Sequence, residues 1–363
     1  MFKLLYKRSF IVIPKYGNFL LGILCGWILS RFFHSMPTLH HSFLVSSNWS
    51  APASSSINLT ESVRVLCWIM TTPENHQSKV VHLQQTWGAR CNKLLIMSSV
   101  ADPTVGSIAL PVVEGRQGLW NKTREALRFI YEHHLEGYDW FLKADDDTYA
   151  VMENLRYFLY AYSPDLPIYF GSKFRYPDYV KQGYFSGGAG YVMSREAVRR
   201  FYDKALEDEA VCPLKREVED LELGKCMEGV NVTAGDSRDE LGRKRFLPFQ
   251  PVDHLTGSVS DDPEYWYNLY SFYEPIYGKN CCSDLAISFH YIDGKRMHMM
   301  EYLIYSLHAW GKHWESPPLP RRKTFDEALT VAGPYPLSTK KAATSTTETD
   351  VTLEDSSNHV PIS

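Results

Sequence analysis

The stretch that decides the fold is Asp139–Leu155, DWFLKADDDTYAVMENL. Trp140, Phe141 and Leu142 form a short apolar run, and three acids follow together at Asp145, Asp146 and Asp147. Beyond them Val151, Leu155, Phe158, Leu159 and Tyr162 recur at helical spacing. The pattern predicts a buried strand that runs into an acidic loop and then a helix. In an open α/β sheet, ligands bind at the carboxyl ends of the strands. Three adjacent carboxylates repel one another, and a cation among them relieves the repulsion. Their hard oxygens suit a divalent ion such as Mg or Mn, which also meets phosphate oxygens. A solvated acidic turn would carry the same residues. Position directly after a buried strand favours a metal–diphosphate site.

Working outward, VRVLCWIM (63–70) reads as a buried strand, Asn75–Trp87 as a helix and KLLIMSS (93–99) as a second strand. Gly118–His134 is amphipathic on Leu119, Ala126, Leu127 and Ile130, and leads into the Asp139 strand. Strands alternating with helices predict an α/β fold with a mainly parallel, doubly wound sheet. PIYFGSKF (167–174) is a further strand. The SGGAG run (186–190) lets backbone approach a ligand or turn the chain, and without a following Lys-Ser/Thr it excludes a nucleotide-hydrolysing P-loop. Ser194 reads as the N-cap of a helix reaching about Leu206. Val218–Val230 has an imperfect helical face with Glu219 and Asp220 in its first turn, where the helix dipole favours the ionised form. That is the state a general base needs, although capping alone also accounts for acids there. Seven aromatic residues crowd Glu264–Tyr277, and SDLAISFHYI (283–292) reads as a strand with Ala286, Ser288 and His290 on its smaller face.

The chain has 363 residues, 44% of them apolar, and a net charge of −4, which argues against nucleic acid as a partner. Lys3, Lys7, Arg8 and Lys15 precede an uncharged run, Tyr16–Ser30. Continued through Phe33 as a helix it would be about 27 Å long, enough for a thin bilayer. No small-x-small site closes the run, so an uncleaved signal anchor is expected rather than a signal peptide. The flanking positive charge places the N-terminus in the cytosol. The expected organisation is a cytoplasmic tail (1–15), a transmembrane helix (16–33), a Ser/Pro/Asn-rich stem (34–62), a lumenal domain (63–316) and a disordered C-terminal tail (317–363). Sequons at Asn48, Asn58, Asn121 and Asn231 agree with a lumenal body. Of seven cysteines Cys25 falls in the anchor, leaving six with fifteen connectivities.

RVLCWIMTTP, TWGARCNKLLIMSS, DWFLKADDDTY, YVKQGYFSGGAGYV, VEDLELGKCMEG, AGDSRDELG and CCSDLAISFHY, in that order over residues 63–313, resemble the core 1 β1,3-galactosyltransferases of glycosyltransferase family 31, to which the Fringe enzymes belong. The resemblance implies a GT-A fold on a type II Golgi membrane protein. It implies inverting transfer of galactose from UDP-galactose to O3 of GalNAc on Ser or Thr of glycoproteins, with Mn2+ as cofactor. It places the base on Asp220 and the metal ligands on Asp147 and His290. Donor contacts fall on Thr71, Asp145 and Asp146. Acceptor contacts fall on Tyr184, Gly187, Gly188, Trp266 and Tyr291. Mixed carboxylate and imidazole ligation suits Mn better than Ca.

The resemblance also leaves alternatives: a related enzyme with another acceptor or UDP-sugar, or a chaperone-like relative without catalysis. That relative lacks the complete acidic triad, which this chain keeps with Asp220 and His290. Homodimerisation is left open. The chain departs from the family pattern in a longer loop at Arg175–Asp178, in Phe185, in Asn121 and around Trp266; all but Asn121 are expected near the acceptor. For the cysteines, Cys67 on the first strand and Cys91 before the second are expected to pair, and Cys212–Cys226 would close a short loop. That leaves Cys281 and Cys282 for a vicinal bond.

Overall fold

The computed structural model describes residues 57–335, apart from 215–217, 260–261, 263 and 313–314. The expected anchor, most of the stem and Asn48 lie outside the described residues. Among the described residues no helix is long and apolar enough to cross a membrane.

The core is a seven-stranded sheet of β1 (Val65–Met70), β2 (Lys93–Ser98), β3 (Ser107–Ala109), β4 (Trp140–Asp145), β6 (Ile168–Gly171), β9 (Tyr191–Ser194) and β10 (Thr233–Ala234), in the order β10-β6-β9-β4-β1-β2-β3. Every residue of β1 is buried, because parallel β2 and β4 flank it and helices cover both faces. Its side chains alternate between two cores. Val65, Cys67 and Ile69 join Met152 and Leu155 of the Met152–Leu159 helix and Met297 of the Gly294–Tyr305 helix. Leu66, Trp68 and Met70 join Trp120, Leu127 and Ile130 of the Leu119–His134 helix and Phe201 of the Arg195–Lys204 helix. Ser194 caps that last helix, its hydroxyl accepting from Ala197 N at 3.0 Å.

The sheet is mixed rather than purely parallel. β9 runs antiparallel between β4 and β6, with Lys143 opposite Tyr191. The Gly187–Gly190 turn that feeds β9 therefore sits at the carboxyl end of β4, beside the acidic loop. Gly190 takes φ +76°, and a Cβ there would lie 2.8 Å from Lys143 O.

A second sheet of β5 (Tyr149–Ala150), β11 (Phe246–Leu247) and β12 (Ser288–Phe289) carries the chain past the same edge. Only Ser288 and Phe289 of the expected 283–292 strand form a ladder. Tyr291 has φ +58°, which ends the extended run. PIYFGSKF likewise divides. Its first half is β6, while its second opens β7 (Lys173–Tyr176), which forms a separate ribbon with β8 (Val180–Phe185) and bridges Ser271 through Phe174. Asn75–Trp87 is not one helix: a π turn at His76–Val80 is followed by α-helix only over Val81–Gln85.

Disulfides join Cys67 to Cys91, Cys212 to Cys226 and Cys281 to Cys282. The second closes a loop spanning 14 positions and staples the Glu219–Gly229 helix to the chain before it. A loop of that length contributes about 3 kcal/mol through chain entropy.

Both domain boundaries move outward. Leu59–Ser62, assigned above to the stem, is a short helix capped by Asn58, and Leu59 packs on the core. Residues 317–335, assigned above to a disordered tail, fold back over the domain. A capping box between Thr324 and Glu327 starts the Phe325–Leu329 helix, Ala328 is buried, and Lys323 N donates to Ala161 O at 2.7 Å. The composition is that of a linker, but a few buried anchors suffice to hold it.

Candidate active site

The carboxyl ends of β1 and β4 open onto a cleft of about 390 Å³. Thr71 and Asn75 enter it from the β1 side, the three acids from the end of β4, and Glu219 and Asp220 from the Glu219–Gly229 helix. His290 and Tyr291 enter from the end of β12. The second sheet fixes His290: Ile292 N donates to Asp147 O at 2.8 Å, and His290 N donates to Leu247 O at 3.1 Å. Gly188 completes its seat. A Cβ there would lie 2.1 Å from the imidazole, so only glycine lets the ring lie flat against this turn.

The three acids have different partners. Asp147 Oδ1 lies 3.2 Å from His290 Nε2, and Asp145 Oδ2 lies 3.9 Å from the same nitrogen. One ligand atom from each of Asp145, Asp147 and His290 falls within 4.8 Å of the others. Two carboxylates and an imidazole at this spacing fit a divalent first-row ion or Mg, with room left for diphosphate oxygens. Asp146 faces the other way. Its Oδ2 accepts from Thr71 Oγ1 at 2.8 Å and Asn75 Nδ2 at 2.9 Å, and its Oδ1 accepts from Lys79 at 2.8 Å. Lys79 also reaches Asp147 at 3.1 Å. Burial alone would raise the Asp147 carboxyl, but His290 and Lys79 outweigh it and hold it at about 2.

Across the cleft Asp220 behaves in the opposite sense. It is 3% exposed, and burial, reinforced by Glu219, pushes its carboxyl up to about 7. Gly187 N donates to its Oδ2 at 3.1 Å and Leu221 N to its Oδ1 at 2.8 Å, which orients the group without offsetting its desolvation. The sequence expectation that the helix start keeps Asp220 ionised is therefore corrected: the dipole of an exposed helix end does not compensate for full burial. Glu219 is tied back, its Oε1 accepting from Thr123 Oγ1 at 2.8 Å and Tyr191 OH at 2.7 Å.

The expected acceptor residues are brought together only in part. Tyr291 is 42% exposed on the cleft wall and stacks on His290 with centroids 3.9 Å apart. Trp266 lies one ring behind it, packed 5.6 Å from Phe249, which in turn stacks on Tyr291 at 6.4 Å. Tyr184 is 1% exposed inside the aromatic cluster of Phe174, Phe249 and Tyr267, so its side chain does not reach the cleft. Gly187 and Gly188 are buried and act through backbone: Gly187 positions Asp220, and Gly188 O accepts from Thr148 Oγ1. Phe185, expected near the acceptor, is 1% exposed core, edge-on to Tyr169.

Sequence reasoning missed Lys79, Asn75, Arg116 and Lys143, all on the cleft wall. Lys79 and Asn75 look like the solvated face of a helix, and nothing marks them locally. Lys143 had a signal: a lone lysine inside a buried strand demands a partner. It finds Asp145 Oδ1 at 2.6 Å and Gly187 O at 3.0 Å.

A family model described as Fringe-like matches residues 60–238. Glycoprotein-N-acetylgalactosamine 3-beta-galactosyltransferase 1 of Xenopus laevis is 46% identical over 276 residues, covering 75% of this chain and 76% of that protein. The beta-1,3-glucosyltransferase of Mus musculus is 27% identical over 187 residues, covering 51% of this chain and 36% of its own length. A crystal structure of galactosyltransferase LgtC with donor and acceptor sugar analogues aligns over 67% of this chain and 97% of its own, at TM-score 0.37 and 12% identity.

Proposed function

The chain belongs to the family of the glycoprotein-N-acetylgalactosamine 3-beta-galactosyltransferases, with a Fringe-like domain, and from that premise we propose how its cleft performs the transfer. The protein is a galactosyltransferase that moves galactose from UDP-galactose to O3 of GalNAc on Ser or Thr of glycoproteins, with inversion. The observation that supports the division of labour is that two acid sites with opposite electrostatics line one cleft.

Asp147 and His290, with Asp145, would hold Mn2+. A divalent ion there supplies charge relief to the departing diphosphate. Asp146, fixed by Thr71, Asn75 and Lys79, orients the donor. Inversion needs the acceptor hydroxyl proton removed on the face away from UDP. Asp220 is the base: a carboxyl raised to about 7 is well matched to take a proton near neutral pH. Tyr291 presents an exposed aromatic face to the acceptor sugar, backed by Phe249 and Trp266.

The single-pass type II topology rests on the basic flank and the uncharged run at Tyr16–Ser30, and the Golgi location on the family resemblance. Protease added to sealed microsomes should spare the body, and digestion without detergent would overturn the orientation. For the activity, the purified full-length protein is offered UDP-galactose, UDP-glucose and UDP-GlcNAc with a GalNAc-bearing peptide and Mn2+. Transfer of galactose alone, in β1,3 linkage, is expected. Preference for another sugar, or transfer to a different hydroxyl, would redirect the assignment within the family.

A further inference from the structure

We propose that Arg175 and Tyr335 form a latch that sets acceptor specificity by fixing the aromatic wall of the cleft. The inference rests on the galactosyl-transfer reading above. It begins with the Trp266–Tyr270 helix, which at five residues is too short to hold its own shape. The carbonyls of its last turn have no intrahelical donors and need others. Arg175 Nε donates to Leu269 O at 3.1 Å, and Tyr335 OH donates to Asn268 O at 2.7 Å. The two donors are locked to each other. Arg175 Nη1 donates to Tyr335 O at 2.8 Å, and its guanidinium lies 4.5 Å from the centre of the Tyr335 ring.

Arg175 is 8% exposed; its Nε and Nη1 are spent on the two bonds above, while its buried Nη2 has no hydrogen-bond partner among the described residues. Its neighbour Phe174 meets the Trp266 ring edge-on at 5.8 Å, so β7 supports both the latch and the ring that it steadies. From Trp266 the packing continues through Phe249 to Tyr291, the exposed ring on the cleft wall. Nothing in the latch touches Asp145, Asp147, His290 or Asp220 among the described residues. The segment that reaches Tyr335 enters this region only after crossing the domain from Ala161. Arg175 itself stands in β7, at the start of the stretch read above as a departure from the family pattern. The latch therefore links β7 and the segment that ends at Tyr335 to the acceptor side alone.

The test uses the full-length protein and its Arg175→Met, Tyr335→Ala and Tyr335→Phe variants. The measured quantities are kcat and the KM values for a GalNAc-bearing peptide and for UDP-galactose. Arg175→Met and Tyr335→Ala should raise the peptide KM on the order of 5–20-fold, the effect of losing a buried hydrogen bond and a cation–π contact. The UDP-galactose KM should stay within about twofold, since uniform loss of one substrate's binding leaves the other untouched. Tyr335→Phe keeps the ring and loses only the hydroxyl, so its peptide KM should rise by about 2–3-fold. An unchanged peptide KM in both severe variants, or an equal rise in both KM values, overturns the latch. A wild-type protein that transfers no galactose to GalNAc instead overturns the reading on which the latch rests.

Discussion

At the acidic loop, Asp147 is surrounded by the imidazole of His290 and the ammonium of Lys79 and stays ionised down to about pH 2. At the start of the Glu219–Gly229 helix, Asp220 is buried beside a second acid, two backbone donors and Lys143 do not offset that burial, and its proton leaves only near pH 7. On the proposed reading the same side chain would do two jobs in one cleft. The carboxylate proposed to hold a metal ion is placed beside an ammonium and an imidazole, and the one proposed to exchange a proton is buried. The difference teaches where each function is vulnerable.

The largest effect is expected at the acidic loop. His290→Ala removes the only imidazole from the Asp145, Asp147 and His290 group and leaves two carboxylates facing each other. Mn2+ affinity, followed by calorimetry or by the Mn2+ electron spin signal, should fall by at least ~10²-fold. Retention of wild-type affinity would return His290 to a structural role.

Next comes stability. The folded Asp220 carboxyl is raised from 3.8 to about 7. Its contribution to stability is therefore fully present below the unfolded value and is lost as pH rises through the folded one. Asp220→Asn does not titrate and escapes that loss. In urea melts the variant should gain on the wild type between pH 4 and 7, reaching on the order of 4 kcal/mol, and the difference should stay level above that. A variant less stable than the wild type at pH 8 would contradict the burial account.

The comparison can be sharpened by pH. With Asp220 as base, kcat/KM should fall by about tenfold per pH unit below about 7 and level off above it. A plateau extending to pH 5 would assign proton removal to a group with an ordinary carboxyl.

The smallest effect belongs to the aromatic wall. Tyr291→Ala removes the exposed ring and should raise the acceptor KM by about tenfold, whereas Trp266→Ala, one ring behind, should raise it by about threefold. The reverse order would place Trp266 against the sugar.

These two ends of the cleft also differ in how far the sequence discloses them. The acidic loop is written locally, as an apolar run, three acids and a helical period, and the structure places it at the end of β4. The Ser194 cap and the Leu119–His134 helix are local in the same way. The antiparallel β9 is not, because its direction depends on a turn at Gly187–Gly190 whose partner strand is almost fifty residues away. The strand expected at 283–292 shortens because the left-handed backbone at Tyr291 is fixed by the site, not by propensity. Asp220 sits at a helix start that the sequence marks only as acidic; its burial comes from packing on β8 and from the Gly187 turn. Tyr184 shows the converse error, in which a side chain beside a glycine turn is drawn into the aromatic cluster behind the cleft.

The most direct test of the division of labour is a calorimetric titration of UDP into the Asp220→Asn protein with and without Mn2+, with turnover measured on the same preparation. Asparagine keeps the shape at position 220 and removes only the basic carboxylate. Mn2+-dependent UDP binding should match the wild type while turnover falls by at least ~10²-fold, the scale of a lost general base. Near wild-type turnover, or loss of Mn2+-dependent UDP binding together with it, would contradict the assignment of Asp220 as the base on the acceptor side.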